Sequence, residues 1–328
     1  MAEAYTTEFI KDNIEKFKDF FRKVKKESFT VKELAPYIYE LTPTKKTSVD
    51  KVIGLMALNH GNEVGGLFVL LEFLCLLDKG LVNLPGKIII GLGSVESAKL
   101  GKRFFEKDLN RCYGDAVGEG KDFQRAKIVM DAFKDCHMSL DLHQTQTPSA
   151  HPFFPMTFNS KTFELIRAID PQASIIPQKP YNQKGKGVPF SHYLVNRGCT
   201  ALTVELGTMS LDYKQIYYGV HLILKLLNYT LGKEPEEFRG SFFPKKGPVF
   251  PPGPDAWLRS DLRNFSQIKK GEVIGDYDGG KKWIAEESGF LAFPKAIRGL
   301  KRTQANENEP IYILLDKDPD YLKNRDLV

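Results

Sequence analysis

Four side chains that can carry metal or acid–base chemistry follow short apolar runs in this chain. His60 and Glu63 come after "VIGLMALN". His143 follows "MSLDL", and Glu205 follows "ALTV". Each run is typical of a buried strand bounded by turn-forming residues. Because ligands in open α/β sheets bind beyond the carboxyl ends of the strands, we expect these four side chains to converge.

Two histidines and one carboxylate are a common ligand set for a catalytic zinc ion, so His60, Glu63 and His143 are the predicted ligands of one zinc ion. Zinc lowers the pKa of a bound water to about 7, which gives a nucleophile at neutral pH. Such a reaction needs a further carboxylate to move the proton, and Glu205 is the candidate. Asp141, two residues before His143, either orients that ligand or is simply buried by the alternation of the strand.

A simpler interpretation of each residue stays open. Glu63 near a helix start is favoured by the helix dipole without any metal. A single histidine at a strand end is often structural. The ordered set, with every member at a strand end, is what favours a metal site.

The segment "KRFFEKDLNRCYG" supplies further charge within a long connection of few apolar residues. Arginine binds carboxylates through two parallel hydrogen bonds, so Arg111 with Asn110 could hold a substrate carboxylate. Arg103 near the metal could stabilise the oxyanion of a tetrahedral intermediate. The alternative is a solvated loop whose charges pair with one another. Arg197, eight residues before Glu205, is a weaker candidate for substrate binding.

Strands alternating with helices over residues 46–235 predict an α/β sandwich with a mostly parallel or mixed sheet. We expect residues 1–45 to form an N-terminal helical extension, because the spacing of Phe and Ile there is that of an amphipathic helix. Residues 236–328 are rich in Pro, Gly and short apolar runs, which predicts a small all-β domain. The pair Gly91-x-Gly93 lacks the third glycine of a dinucleotide-binding loop.

Composition narrows the functional classes. The chain has 328 residues, 42% of them hydrophobic and 27% charged, as in ordinary globular proteins. A formal charge of +6 without a lysine/arginine block gives no support to nucleic-acid binding. The four cysteines form no CxxC pair, which favours a reducing compartment. With no apolar run long enough to span a bilayer, we expect a cytoplasmic protein with no membrane partner.

In order along the chain, the motifs "NHGNE", "DLNR", "DLH" and "VELG" resemble those of the aspartoacylase/succinylglutamate desuccinylase family, within the zinc carboxypeptidase superfamily. The resemblance covers about residues 50–235. It implies an α/β/α sandwich with a central mixed sheet, and a C-terminal β domain (236–328) that shapes the substrate channel. It implies zinc ligation by His60, Glu63 and His143, Glu205 as general base and then acid, and Arg103 as the group that polarises the scissile carbonyl.

The expected activity is zinc-dependent hydrolysis of the amide bond of an N-acyl amino acid that carries a carboxylate, held by Asn110 and Arg111. A metallocarboxypeptidase acting on peptides or cell-wall peptides is the alternative, with Tyr181 or Tyr193 near the site. A non-catalytic carboxylate-binding protein is a third interpretation. The chain could also assemble as a homo-oligomer.

Overall fold

Helices and strands alternate along most of the chain. This computed structural model describes residues 6–24, 27–47, 49–180, 185–300 and 309–323, so Tyr181 lies outside the described residues. The helices are α1 (Thr7–Lys23), α2 (Gly65–Asp78), α3 (Val95–Lys99), α4 (Lys121–Phe133), α5 (Ser160–Ile169), α6 (Phe190–Asn196) and α7 (Tyr213–Thr230), with a 3-10 turn at Leu109–Arg111. Within the described ranges, no helix is long and apolar enough to cross a membrane.

Strands occur in both halves of the chain. Those before residue 236 are β1 (Phe29–Ala35), β2 (Ile38–Pro43), β3 (Val52–Ala57), β4 (Lys87–Leu92), β5 (Met138–Thr145), β6 (Phe154–Thr157), β7 (Ser174–Gln178) and β8 (Thr200–Thr208). Those after it are β9 (Ser241–Phe242), β10 (Lys245–Val249), β11 (Trp257–Leu258), β12 (Gln267–Ile268), β13 (Val273–Tyr277), β14 (Lys281–Ile284), β15 (Gly289–Ala292) and β16 (Tyr312–Leu315).

A six-stranded sheet in the order β1-β2-β4-β3-β5-β8 forms the centre of the fold. Strands β4, β3, β5 and β8 run parallel, whereas β2 pairs antiparallel with β4 and β1 antiparallel with β2. The sheet is therefore mixed. The predicted α/β class with a central mixed sheet is confirmed.

Helices cover both faces of this sheet, which explains why its central strands read as continuous apolar runs. Leu55 of β3 packs into a core with α1, α2, α5 and α7. Its neighbour Met56 points to the opposite core, which α4 and α6 close with Phe133 and Phe190. All eight residues of β5 are buried. The strand ends that carry the candidate residues are thus held between two packed layers.

The segment predicted as an N-terminal helical extension contains α1 and the hairpin β1–β2. Helix α1 begins at the N-cap Thr6, whose Oγ1 accepts a hydrogen bond from Phe9 N at 3.2 Å. Its buried face packs on the sheet, and the ring of Phe21 stacks on Tyr39 of β2 with centroids 3.9 Å apart. The hairpin extends the edge of the central sheet, so this segment packs as part of the α/β layer structure.

Most strands of the C-terminal region are short and antiparallel and form two sheets, β10-β16-β15-β12 and β11-β13-β14, whereas β9 pairs parallel with β7 in a third sheet, β6-β7-β9. Asn264, which is fully buried, joins this region to the loop that follows β5. Asn264 N donates to Pro148 O at 2.8 Å, and Phe293 N donates to Asn264 Oδ1 at 2.7 Å. Pro148 lies in the loop that follows β5. The C-terminal region is therefore tied to the strand that carries His143.

Candidate functional site

His60, Glu63 and His143 meet at the carboxyl edge of the parallel strands. His60 follows β3, Glu63 precedes α2, and His143 lies near the end of the neighbouring strand β5. His60 Nδ1 lies 2.8 Å from Glu63 Oε1, and His143 Nδ1 lies 2.8 Å from Glu63 Oε2. One ligand atom from each of the three residues lies within 4.8 Å of the others. The structure brings the three predicted ligands together as one buried cluster.

A tight loop between β3 and α2 places His60. Leu58 adopts a left-handed φ of 58°, which turns the chain sharply at the end of β3. A Cβ on Gly61 would lie 2.3 Å from Ser97 Oγ and 2.4 Å from Ala98 N, so this position admits only glycine without a shift of the loop. Gly61 N donates to Arg103 O at 2.8 Å. This hydrogen bond holds the backbone of Arg103 next to the loop that carries His60.

Each histidine has a carboxylate behind it. Asp108 Oδ1 lies 3.1 Å from His60 Nε2, and Asp141 Oδ2 lies 3.0 Å from His143 Nε2. Asn59 Nδ2 in turn donates to Asp141 Oδ1 at 2.7 Å. Such partners fix the orientation and tautomer of metal-binding histidines and leave the Nδ1 atoms for the metal. The sequence analysis did not predict that Asp108 contacts His60, because the two residues are 48 positions apart. The only sequence signal was the place of Asp108 in the motif "DLNR".

The charged groups around Glu63 keep its carboxyl ionised, which is the state in which a carboxylate binds a metal ion. Burial alone would raise the pKa of Glu63, but the charges of both histidines and Arg103 hold that pKa well below its ordinary value. Arg103 Nη1 donates to Glu63 Oε1 at 2.6 Å, so a positive group already contacts this carboxylate. His60 Nδ1 is buried and, within the described ranges, makes no hydrogen bond, so its 2.8 Å approach to Glu63 Oε1 is a close contact without hydrogen-bond geometry. Two imidazole nitrogens and one carboxylate form a donor set that suits Zn²⁺.

Glu205 lies beside this cluster on β8, directly opposite His143 in the register of the two strands. Backbone hydrogen bonds with Phe153 hold its position, with Glu205 N donating to Phe153 O at 2.8 Å. Glu205 as a whole residue is 9% exposed, and within the described ranges its Oε2 has no hydrogen-bond partner. Burial, reinforced by the negative charge of Glu63, raises the pKa of Glu205 to about 7. A carboxyl group in this state can exchange a proton near neutral pH.

Asn110 and Arg111 lie on the 3-10 turn next to the cluster. Asn110 is buried, and its Oδ1 accepts a hydrogen bond from Phe190 N at 2.8 Å. Arg111 is exposed, and its Nη1 donates to Asn110 O at 2.6 Å. The same loop carries Asp108, which contacts His60. The turn thus presents an amide and a guanidinium beside the candidate metal site.

Arg197 does not join this arrangement, which corrects the prediction that it binds substrate. It precedes β8, whereas Glu205 lies five residues beyond Thr200, the first residue of that strand. At about 3.3 Å per residue, those five residues alone span about 17 Å. Arg197 instead lines a cavity of about 550 Å³ at the opposite edge of the sheet, together with Lys51 and His137.

The carboxypeptidase alternative named two tyrosines, Tyr181 and Tyr193. Tyr193 lies on α6 with the guanidinium carbon of Arg197 5.8 Å from its ring centroid. Its ring also stacks on Tyr113 with centroids 6.5 Å apart. Tyr181, the other candidate, falls in the range 181–184, outside the described residues.

The family comparison matches the centre of the chain. The family model described as the succinylglutamate desuccinylase/aspartoacylase catalytic domain matches residues 50–229. Among curated relatives, succinylglutamate desuccinylase of Serratia proteamaculans (strain 568) is 24% identical, with 78% of this chain and 83% of the relative covered. The enzyme of the same name from Pseudomonas aeruginosa (strain UCBPP-PA14) is 24% identical, with 82% and 87% covered.

Solved structures share the fold. A succinylglutamate desuccinylase from Vibrio parahaemolyticus superposes with a TM-score of 0.68 at 20% identity, covering 92% of this chain and 94% of the other. Murine aminoacylase 3 superposes with a TM-score of 0.64 at 13% identity, covering 84% and 97%. The resemblance seen in the motifs and the prediction of a hydrolase are both confirmed by these comparisons. The chain belongs to the succinylglutamate desuccinylase/aspartoacylase family.

Proposed function

We propose that this protein is a zinc-dependent deacylase, which hydrolyses the amide bond of an N-acyl amino acid that carries a carboxylate. The observation that carries the proposal is the buried His60–Glu63–His143 cluster with the Glu205 carboxyl beside it. The relatives named succinylglutamate desuccinylase and the structural neighbour named aminoacylase 3 support an N-acyl amino acid as the substrate.

One zinc ion per chain would be held by His60, Glu63 and His143, with Asp108 and Asp141 orienting the two imidazoles. When bound, it would supply Lewis acidity that polarises the scissile carbonyl and a water molecule. Three protein ligands leave a coordination position for those groups. The donor set fits this role because both Nδ1 atoms lie 2.8 Å from an oxygen of the same Glu63 carboxylate.

Glu205 would take a proton from the attacking water and pass it to the leaving nitrogen. Its buried carboxyl has a pKa raised to about 7, so it exchanges protons readily at neutral pH. Its Oε2 makes no hydrogen bond within the described residues, which leaves that atom for a water or substrate. Without this proton transfer the amine would leave as an anion, which is a poor leaving group.

Arg103 would stabilise the oxyanion that forms as the carbonyl is attacked. Its guanidinium lies 2.9 Å from His60 Nε2 and 2.6 Å from Glu63 Oε1, so it is within reach of the reacting centre. Its side chain is 30% exposed, which leaves room to turn from Glu63 toward a substrate oxygen. Asn110 and Arg111 would hold the substrate carboxylate, since guanidinium and amide donors match that group.

The C-terminal β region would narrow the approach to the site. It packs on the loop after β5 through Asn264, and this loop follows the strand that carries His143. A narrow entrance favours small N-acyl amino acids over peptide chains. This is the structural reason to prefer a deacylase to a metallocarboxypeptidase.

The test is amine release from a panel of N-succinyl, N-acetyl and other N-acyl amino acids and short peptides, with zinc-loaded protein. Turnover of an acidic N-acyl amino acid that a chelator abolishes and zinc restores would support the proposal. Turnover of peptides alone, from their carboxyl ends, would contradict it.

A further inference from the structure

Buried hydrogen bonds lead from His143 to a tyrosine on the loop that carries Asp108. His143 Nε2 lies 3.0 Å from Asp141 Oδ2, and Asn59 Nδ2 donates to Asp141 Oδ1 at 2.7 Å. The hydroxyl of Tyr113 donates to Asn59 Oδ1 at 2.5 Å. We call these four residues the Tyr113 network, and each of them is at most 2% exposed. The network therefore links a candidate zinc ligand to a phenol hydroxyl without contact with solvent.

The donors and acceptors of the Tyr113 network fix its direction. A carboxylate only accepts hydrogen bonds, so Asp141 faces the amide nitrogen of Asn59 rather than the amide oxygen. The amide oxygen is then left for the hydroxyl of Tyr113. Burial, with the negative charge of Asp141, raises the pKa of Tyr113 well above its ordinary value, so the hydroxyl keeps the proton that it donates. The second oxygen of Asp141 faces His143 Nε2, which leaves Nδ1 for a metal.

The position of Tyr113 is fixed at both its backbone and its ring. Its carbonyl oxygen accepts a hydrogen bond from Val188 N at 3.1 Å. Its ring packs on Phe190 of α6 with centroids 5.3 Å apart, inside the core that α4 and α6 close. Rotation of the ring would pull the hydroxyl out of reach of Asn59. The hydroxyl is therefore a fixed point against which the amide of Asn59 is oriented.

The loop "DLNRCYG" reaches both histidines of the candidate zinc site. Asp108, its first residue, lies 3.1 Å from His60 Nε2. Tyr113, near its end, reaches His143 through the other two members of the network. The two histidines come from the ends of the neighbouring parallel strands β3 and β5. One loop thus supports both imidazoles from the side away from Glu63.

The side chain of Asn59 has no other task among the described residues. Its hydrogen bonds there go only to Tyr113 and Asp141. Without the hydroxyl of Tyr113, the oxygen of this buried amide would lose its donor and the amide would be held at one end alone. Asp141 would then lose a fixed partner, and the carboxylate behind His143 would be less firmly placed.

We propose that Tyr113 is a positioning residue for His143, which acts through the hydrogen bonds of the network to hold the imidazole in the orientation that binds zinc. This inference rests on the zinc site of the proposed function. It extends that site two residues beyond the carboxylate of Asp141, and it gives the loop "DLNRCYG" a part in metal binding as well as in holding the substrate.

The test compares Tyr113→Phe with Tyr218→Phe, which removes a tyrosine hydroxyl elsewhere. Tyr218 of α7 donates to Asp170 Oδ2 at 2.6 Å, at the end of α5. The affinity of the metal-free protein for Zn²⁺ is measured by competition with a chromogenic chelator, and its stability by urea unfolding. Loss of a group behind a metal ligand weakens metal binding about 10- to 100-fold. Because two residues separate Tyr113 from His143, we expect a fall of about tenfold for Tyr113→Phe. Tyr218→Phe should keep the zinc affinity of wild type, although both variants should unfold at lower urea.

A double substitution separates positioning of His143 from a general loosening of the core. If the hydroxyl acts through Asp141, Tyr113→Phe should weaken zinc binding little further in an Asp141→Asn background. A combined fall equal to the product of the two single falls would overturn the proposal, because the two residues would then act independently. Equal zinc affinity in Tyr113→Phe and Tyr218→Phe would also overturn it and leave the deacylase function intact. Absence of zinc binding by wild type would instead refute the proposed function and this inference together.

Discussion

Substitution of Gly61 by alanine tests how the loop after β3 positions the site. Gly61 packs against the backbone at Ala98 and Lys102, and its N–H donates to Arg103 O. An alanine Cβ would lie 2.4 Å from Ala98 N and 2.6 Å from Lys102 O, where ordinary contacts begin at 3.4 Å. The loop must therefore move by about 1 Å (3.4 − 2.4), away from backbone atoms that cannot rotate aside.

The movement displaces both the ligand His60 and the backbone that carries Arg103. A misplacement of about 1 Å at a reacting centre costs about 100-fold in rate. Overpacking a filled site costs about 1–3 kcal/mol of the free energy of unfolding. For Gly61→Ala we therefore expect kcat/KM to fall about 100-fold, zinc affinity to fall, and the metal-free protein to lose stability within that range.

The matched control is Gly247→Ala, since a Cβ there would meet no atom within 4 Å and the glycine has no left-handed φ. Zinc affinity is measured by competition with a chromogenic chelator, kcat/KM by amine release, and stability by urea unfolding. If Gly61→Ala matched Gly247→Ala in zinc affinity and kcat/KM, the loop would not position the site as described.

Four further substitutions each test one residue of this account. His60→Ala should abolish stoichiometric zinc retention through a desalting column. Asp141→Asn should weaken zinc binding about 10- to 100-fold, because it removes the negative charge next to His143 and leaves one acceptor oxygen for the two contacts of Asp141, with Asn59 and His143. Retention equal to wild type in either variant would remove that residue from the metal site. Arg111→Ala should raise KM for an acidic N-acyl amino acid at least tenfold, and an unchanged KM would contradict its contact with the carboxylate. Arg197→Ala should leave kcat/KM unchanged, because the residue lies at the opposite edge of the sheet; a large loss would refute that placement.

The sequence predicted most of the central fold because burial on both faces leaves a clear pattern. Strands β3, β4, β5 and β8 are apolar runs, and helices α2, α4, α5 and α7 alternate with strands over residues 46–235, as the sequence predicted. The hairpin β1–β2 was not predicted, since its first strand "FTVKELA" lies at the sheet edge and keeps charged, exposed residues. Strand β7 was missed because Pro177 interrupts its apolar pattern.

At the site, the sequence predicted residue types at strand ends but not the contacts between distant loops. His60, Glu63, His143 and Glu205 converge because parallel strands end at one edge of the sheet. The prediction for Arg197 failed because most of the eight positions between it and Glu205 belong to an extended strand, which places its two ends far apart. The contacts of Asp108 and Arg103 with His60 depend on how distant loops pack against each other, and no local sequence pattern predicts such packing.

The metal and the base together form the central claim, and Glu205→Gln tests it most directly. The zinc-loaded variant and wild type are compared in single-turnover amine release from the best acidic N-acyl amino acid, with zinc content measured in parallel. Since Gln keeps the shape but cannot take the proton, we predict full zinc content, unchanged substrate affinity and a rate about 100- to 10,000-fold lower. A rate within a few-fold of wild type, at equal zinc content, would contradict the account.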